Sequence, residues 1–355
     1  MSEPKQLAPG DAAPLRDAYA RAGVDIGAGA EAVRRYRMLT EGRRHPSQLD
    51  SIGGFSGLFR LPGSSDRLLV ASTDGVGTKV LVAAELGRYE TIGGDLVNHC
   101  VNDLLVVGAR PLFFLDYLAV GKLDPEVAAT IVAGIERACA AHDCALLGGE
   151  TAEMPDLYRP EHFDLAGTIV GIAADAELPQ SEQVAPGDAI VGLPALGLHT
   201  NGYSLARALI PPQEWRSPFA AGQGTFGDAL LAPHPSYATQ IAALREVATV
   251  KAMAHITGGG LLDNVPRTLP ETAKAIFEQS RWSVPALEAE LVRRGALAAE
   301  ERYRALNMGI GFTAVVSNTD ALRALAAVPE AKVVGWIESR RAGEPQVVIH
   351  PARTA

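Results

Sequence analysis

The sequence lacks the features that mark secreted, membrane-spanning and nucleic-acid-binding proteins. It has only three cysteines, an odd number without the spacing of a metal site, so we expect reduced thiols and a cytoplasmic location. It contains no run of about 18 apolar residues, and its first residues lack the apolar core of a signal peptide. Acidic residues (41) outnumber basic ones (32), and the net charge of −9 disfavours non-specific binding to nucleic acid.

Two common nucleotide-binding motifs are also missing. Gly27, Gly29 and Ala32 match the dinucleotide pattern G-x-G-x-x-A, but the apolar run before them is too short for the strand that this motif needs. The segment VASTDGVGTKV is not a Walker A loop, because Lys79 follows Thr78 rather than a glycine. A nicotinamide fold and a P-loop fold are therefore disfavoured, while a glycine-rich nucleotide loop of another kind stays open.

The chain has 355 residues, a length that suits two domains. Strand-like runs alternate with helical patterns, which predicts an α/β architecture of the α+β type. The clearest helix signal is Asp124 as a cap with Pro125 at the first helical position. The predicted strands are 67–72, 112–120, 144–148, 165–173, 188–193, 273–278, 310–317, 331–338 and 345–350, and the predicted helices are 91–108, 124–142, 202–210, 235–248, 285–294 and 319–327. A polar, turn-rich stretch after residue 174 separates the halves, so we predict a loose arm (1–18), an N-terminal domain (19–174) and a C-terminal domain (175–355).

Three acidic residues stand where a strand-like run ends or where a helix turns its polar side. Asp74 and Glu150 each follow a short apolar run, and Asp103 lies on a helix with a clean apolar stripe. The polar side of that helix also carries Asp95 and Asn102, where lysine and glutamate are usual on a solvated face. Three convergent carboxylates suit two or more magnesium ions. A turn closed by Asp74 on its own backbone and a solvated helix face stay open as alternatives.

Two glycine-rich segments of the second half lead into predicted helices. GLHTNGYSLAR reaches its helix through His199, Asn201 and Ser204, and HITGGGLLDN reaches its helix through Thr257 and three glycines. Helix N-termini rich in amides and hydroxyls bind anions. The two segments together favour a substrate that carries phosphate, although a capped glycine-rich turn would have the same sequence.

These segments together resemble the phosphoribosylformylglycinamidine cyclo-ligase family. The resemblance covers nearly the whole chain in order, and GGETAEMP and PLFFLDY are its most specific parts. Families of the same superfamily, namely formylglycinamidine ribonucleotide synthetase, selenophosphate synthetase, thiamine-monophosphate kinase and a hydrogenase maturation factor, share the acids but not the full set of segments. The matching segments are AGVDI (22–26), STDGVGTK (72–79), DLVNHCVNDLLVVGARPLFFLDYLA (95–119), GGETAEMP (148–155), HTNGYSLAR (199–207), HITGGG (255–260) and NMGIGF (307–312).

The resemblance implies an ATP-dependent C–N ligase of purine biosynthesis. Formylglycinamidine ribonucleotide and ATP would give aminoimidazole ribonucleotide, ADP and phosphate. It also implies a cytoplasmic homodimer whose N-terminal sheets pair near the ATP site, a C-terminal α/β sandwich that binds the substrate, and no nucleic-acid or membrane partner. A sibling enzyme of the superfamily and a catalytically silent nucleotide-binding homologue remain alternatives. A requirement for a monovalent cation stays open.

Site residues follow from the resemblance position by position. The magnesium ligands would be Asp74, Asp103 and Glu150. Lys79 would neutralise the phosphates of ATP, and either His199 or His255 would carry a proton. The ATP contacts would be Asp25, Gly27, Gly29, Thr73, Gly75, Gly77, Thr78, Asp95 and Asn102, with 25–29 as a flexible lid, and the substrate contacts would be His199, Asn201, Ser204, Thr257, Gly258, Gly259 and Gly260.

The chain departs from the family pattern in two places. Family members often read DIDAGN where this chain has Asp25 to Ala30, and Ala-Met where it has Asn98 and His99. We expect His99 to be a neighbour of the metal ligands rather than a ligand. Neither departure changes the three acids.

Overall fold

The computed structural model describes residue 23 and residues 26–50, 52–220 and 224–352, which form two β-sheets with helices packed against them. This confirms the predicted mixed α/β architecture. The first sheet has the order β1-β2-β5-β3-β4, and its neighbouring strands are antiparallel except for the parallel pair β3 and β4. Its strands are β1 (Gly57–Arg60), β2 (Arg67–Gly75), β3 (Arg110–Val120), β4 (Ala145–Glu153) and β5 (Phe163–Ala174).

Among the described residues, four helices accompany this sheet. Their bounds are α1 (Ile26–Glu41), α2 (Lys79–Leu86), α3 (Ile92–Val106) and α4 (Pro125–Ala141). The predicted start of α4 is confirmed, because the Asp124 carboxylate accepts hydrogen bonds from the amides of Glu126 and Val127 and Pro125 opens the helix.

The second sheet has six strands in the order β11-β8-β10-β6-β9-β7, of which only β8 and β11 are parallel neighbours. Its strands are β6 (Ala189–Pro194), β7 (Ala252–His255), β8 (Ala273–Glu278), β9 (Ile310–Val316), β10 (Lys332–Ser339) and β11 (Val347–His350). The helices of this half are α5 (Tyr203–Leu209), α6 (Phe226–Leu230), α7 (Ala238–Val247), α8 (Gly260–Asn264), α9 (Ala286–Gly295), α10 (Ala299–Ala305) and α11 (Ala321–Ala327).

Helix α3 lies between the two halves. Its apolar residues, such as Leu96 and Val101, are fully buried in the core shared with β2 and β5. Its polar side is buried as well, because β7 and α7 of the second half pack against it. The alternative of a solvated polar face is therefore wrong, and the short polar side chains of α3 meet protein rather than water.

Several element boundaries differ from the prediction. β2 and β4 run on through Asp74 and Glu153, because backbone pairing with β5 and β3 continues past the apolar residues. The segment that begins at Ile26, where no helix was predicted, forms a helix, since alanine, glutamate and arginine after it favour helix. The predicted arm 1–18 and Asp25 lie outside the described residues.

Two further sequence expectations concern cysteines and membranes. Cys100, Cys139 and Cys144 are buried and free, as predicted. Within the described ranges, no helix has the length and apolar character needed to cross a lipid bilayer.

Candidate active site

A cleft of about 350 Å³ opens between the end of β2 and the glycine-rich segment before α8. It brings together six of the residues predicted from the sequence, from both halves of the chain. These six are Thr73, Asp74, Asp103, Asn201, Thr257 and Gly258. Gly54, Phe55, Ser72, His99 and Arg267 complete its lining.

Two carboxylates form the floor of the cleft. Asp74 is on β2 and Asp103 is on α3, and the hydroxyl of Ser72 donates to Asp103 Oδ2 at 3.2 Å. His99 Nε2 lies 3.3 Å from Asp74 Oδ1. One ligand atom from each of Asp74, His99 and Asp103 lies within 4.8 Å of the others, so these residues are close enough to share a cation.

The two carboxylates differ in ionisation. Burial opposes the charge on Asp74, but His99 and hydrogen bonds from Asp103 and Ser72 outweigh it and leave the pKa of Asp74 below its usual value. Burial and the neighbouring charge of Asp74 raise the pKa of Asp103 well above its usual value. The carboxylates are therefore poised to share a proton, a situation that a divalent cation relieves.

Glu150 does not join these acids, so the expected convergence of three carboxylates is wrong within one chain. It pairs in register with Tyr117 on β3 and is exposed. Asp74 is in register with Asp116, one residue before Tyr117, through Gly167 of β5. Since side chains alternate between faces, Glu150 and Asp74 lie on opposite faces, about 14 Å apart across three inter-strand steps.

Lys79 is enclosed and cannot reach a phosphate in the cleft, which corrects its assignment. Its side chain is fully buried, its ammonium lies 2.6 Å from Asp95 Oδ2, and it donates to the Ala232 carbonyl at 2.7 Å. Asp95 also accepts from the backbone amide of His234 at 2.7 Å, and burial leaves its pKa raised despite Lys79. Lys79 and Asp95 form an internal ion pair that holds segment 232–234.

Asn102 has the same kind of role rather than contact with a nucleotide. Its side chain donates to the Pro235 carbonyl at 2.9 Å and accepts from the Tyr237 amide at 2.9 Å. It is fully buried. Asn102 therefore fixes the segment before α7 onto α3.

The loop after β2 contacts the second half instead of opening into the cleft. Gly77 has a φ of +68°, which favours glycine, and lies against the Thr200 carbonyl. Thr78 Oγ1 and Ser204 Oγ are 3.4 Å apart. Of this predicted set, Gly75 ends β2 without lining the cleft, and Gly27 and Gly29 are exposed on α1.

The wall contributed by the second half is built on the glycine-rich segment. Thr257 donates to Asn264 Oδ1 at 3.2 Å, and Asn264 Nδ2 donates to the carbonyls of Thr257, Gly258 and Gly260. Gly260 has a φ of +57°, and a Cβ there would lie 2.0 Å from the Tyr303 carbonyl oxygen. Gly259 and Gly260 therefore shape the wall but do not line the cleft.

His199 and His255 are buried and do not line the cleft, which argues against either as a direct proton carrier to the substrate. Burial lowers the pKa of His199 to about 3 and that of His255 well below its usual value, so both rings are neutral at neutral pH. His255 Nδ1 lies 2.8 Å from Asp103 Oδ1.

Five residues of the lining were not among the predicted site residues, and two of them, His99 and Arg267, carry ionisable side chains. His99 was expected only as a neighbour, yet it faces the cleft; burial opposes its charge, but Asp74 outweighs burial and raises its pKa. Arg267 is the only arginine or lysine among the described residues of the lining, and its guanidinium lies 5.1 Å from the centre of the Phe55 ring. Arg267 follows the glycine-rich segment at no spacing that a motif defines, so the sequence gives little signal for it.

Comparison with known proteins identifies relatives that match most of this chain. Family models described as AIR synthase related protein match residues 55–173 (N-terminal domain) and 185–348 (C-terminal domain). A phosphoribosylformylglycinamidine cyclo-ligase of Anaeromyxobacter sp. (strain Fw109-5) is 46% identical over 323 residues, which are 90% of this chain and 94% of that protein. The trifunctional purine biosynthetic protein adenosine-3 of Bos taurus is 43% identical over 342 residues, and the match spans 93% of this chain but only about a third (34%) of that protein.

Solved structures share the fold at low sequence identity. The hydrogenase maturation protein HypE in complex with ATP aligns with a TM-score of 0.61 and 19% identity over 92% of each chain. The T. maritima PurL complexed with ADP aligns with a TM-score of 0.56 and 16% identity over 92% of this chain and 49% of that one. At these identities the likeness is one of fold.

Proposed function

The chain belongs to the phosphoribosylformylglycinamidine cyclo-ligase family, and from this membership we propose that it closes the imidazole ring of aminoimidazole ribonucleotide. The protein is a ligase of purine biosynthesis. The observation that carries this conclusion is an identity of 43–46% over 85–94% of the chain to relatives with that name or with the trifunctional purine biosynthetic name. Thiamine-monophosphate kinase from Stenotrophomonas maltophilia, by contrast, is only 21% identical.

The reaction consumes formylglycinamidine ribonucleotide and ATP. The formyl oxygen of the substrate accepts the terminal phosphoryl group, which turns that oxygen into a good leaving group. The amidine side of the substrate then attacks the same carbon, the ring closes, and phosphate departs with the oxygen. Such a reaction asks the protein mainly to position its reactants and to neutralise their charge.

The cleft supplies residues for both tasks. We assign magnesium to Asp74 and Asp103, because two crowded carboxylates fit an ion that takes one or two protein carboxylates together with phosphate oxygens. Magnesium bound there would neutralise the phosphates of ATP. We assign the ribose phosphate to Arg267, Asn201 and Thr257, since the second half contributes this guanidinium and these neutral donors to the lining.

A homodimer through the first sheet is part of the proposal. The outer face of that sheet exposes the large apolar side chains of Leu115, Tyr117 and Leu147, and exposed apolar patches are typical of contact surfaces. Glu150 lies on this outer face rather than in the cleft. In this proposal Glu150 lies near the dimer contact. The proposed location of the protein is the cytoplasm.

The test is a coupled assay with purified full-length chain, ATP, magnesium chloride and formylglycinamidine ribonucleotide. We expect ADP release that depends on the ribonucleotide and matches the imidazole ribonucleotide formed. Thiamine monophosphate serves as the control acceptor. ADP release with the control acceptor and none with formylglycinamidine ribonucleotide would overturn the proposal.

A further inference from the structure

Three buried histidines meet at the junction of the two halves, close to the cleft. His99 comes from α3, His234 from the segment before α7, and His255 from the end of β7. We propose that these three side chains bind a zinc ion that joins the halves of the chain. This site would adjoin the magnesium site through His99 and Asp103, and it goes beyond the proposed function.

The spacing of the ring nitrogens fits zinc. One nitrogen from each of the three rings lies within 4.8 Å of the others, and the Nε2 atoms of His234 and His255 are 3.2 Å apart. Two nitrogens bound about 2.05 Å from a tetrahedral zinc lie about 3.3 Å apart. His234 and His255 therefore already have the spacing of two zinc ligands, and His99 lies close enough to join them.

Neighbouring groups already orient two of the three rings. His255 Nδ1 lies 2.8 Å from Asp103 Oδ1, and His99 Nδ1 lies 2.6 Å from Thr200 Oγ1. The other nitrogen of His99, Nε2, lies 3.3 Å from Asp74 Oδ1, so zinc would take the place of that contact. Histidines that bind metals are typically held through their second nitrogen by a carboxylate or another oxygen. In His255 this arrangement leaves Nε2 facing His234.

His234 presents Nε2, rather than Nδ1, to the other rings of the cluster. Its Nδ1 atom is buried and has no hydrogen-bond partner among the described residues, although the side chain is only 1% exposed. Its Nε2 atom faces His255 and also lies 3.1 Å from Asn102 Nδ2. Zinc at Nε2 would displace that amide, which keeps its bond to the Pro235 carbonyl.

Ligand chemistry separates this site from the carboxylates next to it. Imidazole nitrogens suit zinc and other late transition metals, whereas magnesium prefers oxygen ligands. Because the ligands come from both halves, the ion would stabilise their contact.

The first experiment uses wild-type full-length chain stripped with a chelator and then titrated with Co²⁺. We expect the visible absorption of tetrahedral cobalt at one ion per chain, and its loss when one equivalent of Zn²⁺ is added in excess Mg²⁺. The absence of this absorption together with no stoichiometric zinc binding would overturn the proposal, whatever the variants do.

The second experiment compares His234→Ala with His162→Ala. His162 is partly exposed, lies outside the cluster and contacts Glu161 at 3.9 Å. We expect zinc affinity to fall by at least about 10- to 100-fold in His234→Ala and to stay unchanged in the control. Zinc should raise the melting temperature of wild type and control but not of His234→Ala. Equal affinity in both variants would refute the site, and if His234→Ala does not fold, the cobalt titration of wild type still decides.

Discussion

At the scale of residues, burial separates acids that look alike in the sequence. Asp74 and Asp103 face the cleft, Asp95 is locked to Lys79, and Glu150 is exposed on the far face of the sheet. The sequence supported the assignment of Asp74 and Asp103 to the site, because each of these acids has other polar residues near it in the sequence. It gave no sign of the partner of Asp95, since that partner is set by packing between the halves.

Asp103→Asn tests the carboxylate floor. We expect turnover at saturating ATP to fall by about 100-fold or more, because the charge that holds magnesium near the phosphates is lost. Asp143→Asn is the matched control, since Asp143 is exposed in the turn after α4. The measurement is ADP release across a magnesium titration, with circular dichroism to verify folding. Rates like wild type at every magnesium concentration would exclude the assignment.

Arg267→Ala tests the assignment of the ribose phosphate to Arg267. Loss of a charged hydrogen-bond donor costs about 1.5–3 kcal/mol, so we expect the KM for the ribonucleotide to rise about 10- to 100-fold. The KM for ATP should change little. Arg304→Ala is the control, because Arg304 is half-buried and lies outside the cleft. An increase in the KM for ATP alone would instead assign Arg267 to the binding of the nucleotide.

At the scale of elements, the sequence located apolar strands and the capped helix α4 well, because their signals are local. It ended β2 and β4 too early, since glycines and acids such as Gly75 and Glu150 look like turns until a neighbouring strand pairs with them. It also left out α2 and β7, which are short and hold few polar positions to mark a period. Tertiary pairing supplied what local pattern lacked.

Helix α9 carries two glutamates whose pKa values shift in opposite directions, so variants of both test how their charges affect stability. Glu288 is fully buried, neither of its oxygens has a hydrogen-bond partner among the described residues, and burial raises its pKa well above the usual value. As pH rises above about 4.5, the Glu288 carboxyl therefore ionises in the unfolded chain before it ionises in the folded chain. The free energy of unfolding falls from that pH upward by as much as about 1.4 kcal/mol per pH unit. We expect Glu288→Gln to become more stable than wild type as pH rises from 4.5 to 7.

Glu290 is the matched control on the same helix. Hydrogen bonds from Arg293 and Arg294 outweigh the opposing effect of burial and lower the pKa of Glu290 to about 2. Its contribution is present above about pH 4.5 and is lost as pH falls toward 2, so Glu290→Gln should be no more stable than wild type at neutral pH. Urea unfolding from pH 4.5 to 7 measures both. A Glu288→Gln difference that does not change with pH would contradict the burial argument.

At the scale of the molecule, the two halves are joined through α3. The sequence indicated two units of similar length and one polar helix, but not that the polar side of this helix contacts the other half. Asp95, Asn102 and Asp103 each bond to residues more than 130 positions away in the chain. Contacts at that separation leave no periodic signal, so only the folded structure identifies them.

Lys79→Met tests whether the ion pair serves stability or nucleotide binding. Removing one partner leaves Asp95 buried with its charge uncompensated, so we expect a loss of about 3–5 kcal/mol in the free energy of unfolding. The double variant Lys79→Met/Asp95→Leu should recover much of that loss. Urea unfolding compares the variants. A single variant with the stability of wild type and a raised KM for ATP would return Lys79 to the phosphates.

The burial of α3 on every side has a consequence for recombination between relatives. A chimera could take residues up to 174 from one homologue and the remainder from another. It would then combine an α3 and a 232–237 segment that did not evolve in contact with each other. Asp95 and Asn102 would then meet a foreign backbone in place of the amides and carbonyls that they now bond. Moving α3 with the second half would instead part Leu96 and Val101 from β2 and β5, so an exchange at residue 174 requires that the α3 of one parent match the 232–237 segment of the other.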